Sequence, residues 1–252
     1  MIGPKGSRPP KSEVEQFYDS RYRDVSASVK ATSLDESAIS RPGTVRFFET
    51  LWGKNKRPDP GCSISTLEVG CGLAPFSRYI LNLYPKAKVF ATDISSVALE
   101  KAKSLCGCLE CYQTDIAQGL AYEDCSFDIV FMTAFIEHVF SPLNALREAF
   151  RVLRPGGSCF ITTPNTQNLS SRLSYLVRGH VPRTEGQNKP PWEWEHIRFF
   201  TKDDVEQMLG IAGFRESTIL LGYEVPVSKL REVLSIVFPS WFCHLIIALA
   251  RR

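Results

Sequence analysis

The stretch that most constrains this chain is Ser65 to Ala74, Ser-Thr-Leu-Glu-Val-Gly-Cys-Gly-Leu-Ala, a short apolar run that carries a carboxylate and then two glycines one residue apart. Ile64, Leu67 and Val69 suit a buried parallel strand. Gly70 and Gly72 let the backbone turn sharply with no side chain in the way, so a ligand can press against the main chain. Pro75 is tolerated in a first helical turn, where its fixed φ helps and its missing N–H is not needed. The spacing of Phe76, Tyr79, Ile80 and Leu83 then predicts a helix, and Pro85 stops it.

Many nucleotide-binding proteins carry Gly-x-Gly after a first strand, but a dinucleotide fingerprint wants a third glycine where this chain has Pro75. Glu68 is the second departure. It stands two residues before the first glycine, where a phosphate would be repelled and a cationic group would fit better. S-adenosylmethionine carries an ammonium and a sulfonium and no phosphate. With these residues, Glu68 to Ala74 resembles the first motif of the class I S-adenosylmethionine-dependent methyltransferases, [Asp/Glu]-x-Gly-x-Gly-x-Gly, with Ala74 in place of the last glycine. The resemblance implies a Rossmann-like, doubly wound α/β fold: a seven-stranded sheet, mostly parallel with one antiparallel strand, and helices on both faces. It also implies S-adenosyl-L-methionine as cofactor, with Glu68, Gly70, Cys71 and Gly72 among its contacts.

The strand-then-helix pattern repeats after this loop. Lys88 to Thr92 predicts a second strand with Asp93 at its carboxyl end, about 20 residues beyond the glycines, where an acid can accept hydrogen bonds from ribose hydroxyls. An aspartate at a strand end is also a common turn residue. Ser95 or Ser96 can cap the next helix, with Val97, Ala98, Leu99 and Ala102 facing the sheet. Glu110 to Thr114 predicts a third strand, followed by Asp115 and Ile116. In the resembled family the acid here accepts from the adenine amino group, and Ile94 and Ile116 would flank the ring; a capping aspartate is the competing reading. Phe127 to Thr133 predicts the fourth strand. The loop after it, Ala134 to Val139, falls at the ligand-binding edge of an open sheet, which adds Ala134 to the cofactor contacts.

That loop bears on substrate class. It lacks the Asn or Asp followed by two prolines and an aromatic of nucleic-acid amine methyltransferases, and the Pro-Cys of cytosine-C5 enzymes. Glu137-His138 together with Arg151-Val-Leu-Arg-Pro-Gly-Gly157 is instead similar to the small-molecule branch typified by ubiquinone-biosynthesis O-methyltransferases. A helix over Pro142 to Leu153, a turn over Arg154 to Gly157 and a fifth strand over Ser158 to Thr163 follow. A helix over Lys202 to Leu209, a sixth strand over Arg215 to Leu221 and a seventh over Trp241 to Ala250 complete the expected sheet.

Segments 1–60, with helices expected over Glu13 to Arg23 and Val45 to Trp52, and 164–200 lie outside the repeat, beside a methyltransferase domain over 61–252. The second is too long for a plain connection and is expected to cover the site. It offers an amphipathic helix around Arg172 to Val177, and Trp192, Trp194 and Phe199 as apolar area for a flat ring or lipid. The net charge of +3 is small and the basic residues are scattered apart from Lys54, Lys56 and Arg57, so no nucleic-acid footprint is expected. No basic segment followed by an apolar one opens the sequence, and a cytoplasmic setting with reduced thiols is expected for its eight cysteines. Cys106, Cys108, Cys111 and Cys125 could hold zinc, but the spacing lacks a second paired knuckle, and no metal is expected. Ser235 to Ala250 is apolar but interrupted by Pro239 and His244, too short to span a bilayer. A surface-associated helix over Val227 to Phe238 would allow peripheral membrane contact.

The expected function is methyl transfer from S-adenosylmethionine to a small-molecule acceptor at a hydroxyl oxygen. His138 is the first candidate for the base and His196 the second, because imidazole titrates near neutral pH. A nicotinamide-dependent oxidoreductase, disfavoured by Glu68 and Pro75, and a catalytically silent binding protein on the same fold are the alternatives.

Overall fold

The computed structural model describes residues 11–24, 42–54, 61–179, 195–223 and 229–252. Seven strands, β1 (Ser65–Val69), β2 (Lys88–Asp93), β3 (Glu110–Gln113), β4 (Phe127–Thr133), β5 (Leu153–Pro164), β6 (Glu216–Gly222) and β7 (Leu245–Arg251), form one sheet in the order β3-β2-β1-β4-β5-β7-β6. β1 pairs in parallel with both β2 and β4. β7 is antiparallel to both of its neighbours, β5 and β6, which makes it the single reversed strand of the expected arrangement. The chain leaves β1 toward β2 on one side and returns to β4 on the other. The loops beyond these strand ends therefore diverge and open a crevice.

Both faces of the sheet are covered, and the strands show it residue by residue. In β4, Ile129 and Phe131 belong to one apolar cluster while Val130 and Met132 belong to the other, the period of two that a doubly buried strand requires. On the first face lie α2 (Pro42–Lys54), α3 (Pro75–Leu83) and α4 (Ser96–Leu105). The Phe76 ring stacks on Phe131 with centroids 4.9 Å apart, and Phe48 meets Phe160 edge-on at 5.0 Å. On the second face, Leu146 and Ala149 of α5 (Pro142–Val152) pack with Val205 and Leu209 of α7 (Lys202–Ala212). A Thr201–Asp204 capping box opens α7, and Gly213, at φ 109°, closes it.

Two strands, β5 and β7, begin more than one residue away from where they are expected. β7 begins at Leu245 rather than Trp241, because Pro239 opens a short helix, α9 (Pro239–Phe242), and the ladder can start only where Pro164 and Gly222 supply partners for Leu245. Trp241 is left on the surface. β5 begins with a pairing of Leu153 to Phe127, and the ladder is then interrupted until Ser158 meets Ile129, so Arg154 to Gly157 bulge out of an otherwise continuous strand. The remaining helices are α1 (Glu13–Asp24), which packs on α4, and α6 (Leu169–Arg178) and α8 (Lys229–Val237). Trp192, Trp194, Val227 and the connector 55–60 lie outside the described residues.

Glu68 is corrected most sharply. It was expected to face a cationic ligand, but its carboxylate turns beneath α3 and accepts from the Phe76 N–H at 3.2 Å, the Ser77 N–H at 2.8 Å and the Ser77 hydroxyl at 2.8 Å. Ala74, the residue before α3, has a left-handed φ of 53° and no side-chain oxygen, so Glu68 does the capping that the local sequence cannot. Burial nevertheless dominates, and it pushes the Glu68 carboxyl up from 4.5 to about 7 against the pull of these donors. A folded-state value above the unfolded one means that the folded protein holds the proton longer. This contribution to stability is complete below about 4.5 and is lost as pH rises through about 7. Relative to Glu68→Gln, which cannot titrate, the wild-type protein should lose up to about 3 kcal/mol across that window in urea unfolding. A gap that stays constant with pH would contradict the assignment.

Candidate active site

A cavity of about 1480 Å³ occupies the crevice at the carboxyl ends of β1, β2 and β4. Its floor is the loop from Gly70 to Gly72, and both glycines are required by more than their left-handed φ values of 64° and 51°. A Cβ at Gly70 would stand 2.1 Å from Phe135 Cδ2, and one at Gly72 would stand 2.7 Å from the Tyr22 hydroxyl. The glycines thus let a ring from the β4 loop and a phenol from α1 close on bare backbone.

Asp93 holds this floor from the end of β2. Its Oδ2 accepts from the Gly72 N–H at 2.9 Å and its Oδ1 from the Ser95 N–H at 2.9 Å. Burial pushes its carboxyl upward, with these amides pulling the other way. Ser95 caps α4 by accepting from the Ala98 N–H at 3.1 Å, and its hydroxyl donates at 2.7 Å to Asp19, a buried residue of α1. Lys11 also pairs with Asp19, and α1 is thereby fastened across the strand ends.

The structure brings ten of the residues singled out in the sequence to one cavity: Gly70, Cys71, Gly72, Asp93, Ile94, Asp115, Ile116, Ala134, His138 and His196 all line it. Glu68 does not. The Cys71 thiol is buried against the floor, and burial raises its pKa well above the ordinary value, so it is an apolar wall and no nucleophile. Asp115 caps the short 3-10 turn Ile116–Gln118, accepting from the Ala117 N–H at 3.0 Å. Asp115 is thus a cap, and it also lines the cavity. Ala134 has a left-handed φ of 47°, held by an N–H shared between the Thr162 carbonyl at 3.0 Å and the Thr162 hydroxyl at 3.1 Å.

The other end of the cavity is built from the turn Ile136–His138 and the return of the 164–200 segment. His138 Nδ1 lies 3.0 Å from the Glu195 carbonyl oxygen. A carbonyl only accepts, so Nδ1 is the donor, and it is Nε2 that carries the lone pair whenever the ring is neutral. The His196 ring stands edge-on to it with centroids 4.7 Å apart. The Ile197 and Arg198 N–H groups both donate to the Glu137 carbonyl, at 3.0 and 3.1 Å. Glu137, His138 and His196 each place a ligand-type atom within 4.8 Å of the others, whereas among the cysteines the nearest approach is Cys106 to Cys108, with sulfurs 3.6 Å apart. All eight cysteines are free thiols.

Four participants carried no signal that sequence reasoning could use. Phe135 and Tyr22 matter through their contact with glycine backbone, and Arg21 of α1 matters through an ion pair with the nearly buried Glu195. Such partners, far apart in the chain, meet only once the sheet has brought α1 and the 164–200 segment to the same edge.

The character of the lining fits S-adenosylmethionine. Asp93 and Asp115 offer acceptors, and among the described lining residues the one Lys or Arg is Arg21, already paired with Glu195. Ribose hydroxyls, an adenine amino group and an ammonium are all donors, whereas a pyrophosphate would meet acids. A family profile with the description Methyltransferase domain matches residues 67–161, which contain Gly70, Gly72, Asp93, Asp115 and Ala134 of the cavity. The chain is 26% identical over 159 residues to a ubiquinone biosynthesis O-methyltransferase of Roseobacter denitrificans, covering 62% of each chain. It is 30% identical over 162 residues to a demethylmenaquinone methyltransferase of Staphylococcus epidermidis, covering 60% of this chain and 67% of that one. The aligned stretch thus spans less than two thirds of the first relative's length. A crystal structure of a SAM-dependent methyltransferase from Aquifex aeolicus superposes with a TM-score of 0.57 at 17% identity, over 92% of this chain and 97% of that one, which speaks for the fold alone. Motif, fold and relatives agree: the chain belongs to the class I S-adenosylmethionine-dependent methyltransferases.

Proposed function

We propose that this protein transfers the methyl group of S-adenosylmethionine to a hydroxyl oxygen of a small-molecule acceptor, with His138 as the base. The observation that carries the reading is the pairing, in one cavity, of strand-end acids with a histidine whose Nδ1 is fixed on the Glu195 carbonyl. The name of one relative, an O-methyltransferase, supports oxygen as the accepting atom.

When bound, the cofactor supplies a methyl group on a positively charged sulfur that leaves as a neutral thioether. Asp93 would accept from the ribose hydroxyls with the lone pairs left after Gly72 and Ser95 have taken one on each oxygen. Asp115 would accept from the adenine amino group, with Ile94 and Ile116 against the ring, and the Gly70–Gly72 backbone would take the amino-acid end. The protein's larger task is alignment, worth up to about 7–11 kcal/mol when reacting groups are held in line. His138 Nε2 takes the hydroxyl proton as the oxygen is alkylated. The imidazolium that forms is steadied by its Nδ1–H on the Glu195 carbonyl. His196, ring against ring with His138, is the alternative base.

Asp93→Ala should weaken S-adenosylmethionine binding about ten- to hundredfold in calorimetry, the loss expected for hydrogen bonds to a charged group. Binding as tight as the parent's would remove Asp93 from the ribose site. NAD should not bind in the same assay, and heat of binding from the nicotinamide cofactor alone would overturn the reading.

His138→Ala should lower kcat by about 10²–10⁴-fold while leaving cofactor affinity nearly unchanged. The defect should shrink as the acceptor hydroxyl becomes more acidic, since an ionised phenolate needs no base. Equal slowing of all acceptors together with weakened cofactor binding would mean that His138 shapes the loop and takes no proton, and His196→Ala would then be the variant to compare.

A further inference from the structure

Three helices outside the sheet show apolar residues to solvent instead of to the core. In α6, Leu176 is 82% exposed and Val177 75%; in α8, Leu230 is 71% exposed and Ile236 78%. Leu173, Tyr175, Val233, Val237, Phe238 and Trp241 are exposed with them. Single exposed apolar residues are ordinary on a protein surface, but a gathered set is not. Part of this set is gathered: Leu173 of α6, Leu230 of α8 and Trp241 of α9 line one shallow groove of about 320 Å³ together with Leu169, Leu234 and Phe242. Leu230, Val233 and Val237 also recur at helical spacing, so α8 turns a coherent apolar face outward.

Charge narrows what can cover this face. α6 and α8 carry Arg172, Arg178 and Lys229 against the acid Glu232 on this face. The Arg172 guanidinium lies 5.1 Å over the Trp241 ring. A second copy of the chain docking by the same face would set these cations against one another. An anionic lipid surface complements them, and the alternation of aromatics, aliphatics and long basic side chains is that of a helix lying in a bilayer interface, its cationic heads reaching the phosphates. None of the described helices is long and apolar enough to cross a membrane, so any insertion is shallow. Position adds the last constraint: Ser170 lines both this groove and the large cavity, which puts the patch at the cavity's mouth.

We infer that the α6–α8–α9 face is a membrane-docking surface for an anionic phospholipid bilayer, and that docking sets the cavity mouth against the interface, from which an amphiphilic acceptor can enter. The docking surface stands whether or not the methyl-transfer reading does, because its test reads partition and needs no turnover.

The test is co-sedimentation of the full chain with vesicles of phosphatidylcholine alone and of equimolar phosphatidylcholine and phosphatidylglycerol. Strong partition into the second and weak partition into the first is expected. Val233→Glu with Ile236→Glu should lower partition into the anionic vesicles by about tenfold or more, because both side chains are exposed in the free protein yet would have to enter the interface. Arg172→Glu, Arg178→Glu and Lys229→Glu should each lower it at least about fivefold, the equivalent of about 1 kcal/mol per cation at such a surface. Lys86→Glu, exposed at the opposite end of the sheet, should leave it unchanged. Calorimetry with S-adenosylmethionine on each variant reports whether the fold and cofactor site are intact, and keeps a failure here distinct from a failure of the proposed activity. Equal partition into both vesicle types, or variants that partition like the wild-type chain, would overturn the inference. So would a concentration-dependent dimer in light scattering that Val233→Glu with Ile236→Glu dissolves.

Discussion

The passage of the backbone from β1 into α3 governs this molecule, and two buried carboxylates make it possible. Glu68 and Asp93 together take up four backbone N–H groups, those of Phe76, Ser77, Gly72 and Ser95, at the point where two helices begin and one loop doubles back. Unpaired, each of those amides would cost on the order of 1–3 kcal/mol in a dry interior. The carboxylates in turn could not stay buried without them. Glu68 spends both of its oxygens on the opening of α3, while Asp93 spends one lone pair per oxygen and still faces the cavity. The same chemistry, at the ends of adjacent strands, yields one residue that builds the site and one that is presented in it.

The cavity is closed by segments that the sheet does not contain. α1 is fastened to the β2 end through Asp19 and Ser95, and it lays Tyr22 over Gly72. On the far side, the return of the 164–200 segment is tied to the Ile136–His138 turn by the paired amides on the Glu137 carbonyl and by the Glu195 carbonyl on His138. Arg21 and Glu195 join the two closures directly. The glycine-loop end of the cavity thus rests on the repeating α/β frame, whereas the histidine end depends on elements outside it.

That division explains how much could be read from the chain alone. The frame was legible because each part of it obeys a local rule: β-branched and apolar runs for strands, Pro75 and Pro142 at helix starts, Ser95 and Thr201 as caps, Gly213 as a stop. The residues of the glycine-loop end were legible because they sit at fixed offsets from strand ends. Glu68 was misplaced because a motif names a position and not a direction, and on a strand the residues before and after it point to the opposite face. The start of β7 was misplaced for a different reason. Trp241 to Cys243 has the composition of a strand, but a strand needs partners, and neither β5 nor β6 reaches that far. Arg21, Tyr22, Phe135 and Glu195 were invisible because their roles exist only across long separations.

The two histidines show how the far end of the cavity can be both precise and dependent. His138 stands on a turn anchored to the sheet through Ala134 and Thr162, but its tautomer is set by a carbonyl from the other segment. His196 is one residue beyond that carbonyl, so any movement of 195–198 displaces the hydrogen bond that orients one ring and the backbone that carries the other. Because Glu195 is also held by Arg21, such a movement pulls on α1, and α1 covers the glycine floor. A ring oriented in this way keeps its direction only while both covers are in place. The orientation of the His138 ring and the enclosure of the Gly70–Gly72 floor are therefore parts of one closed arrangement, joined through Arg21 and Glu195 and not through the sheet.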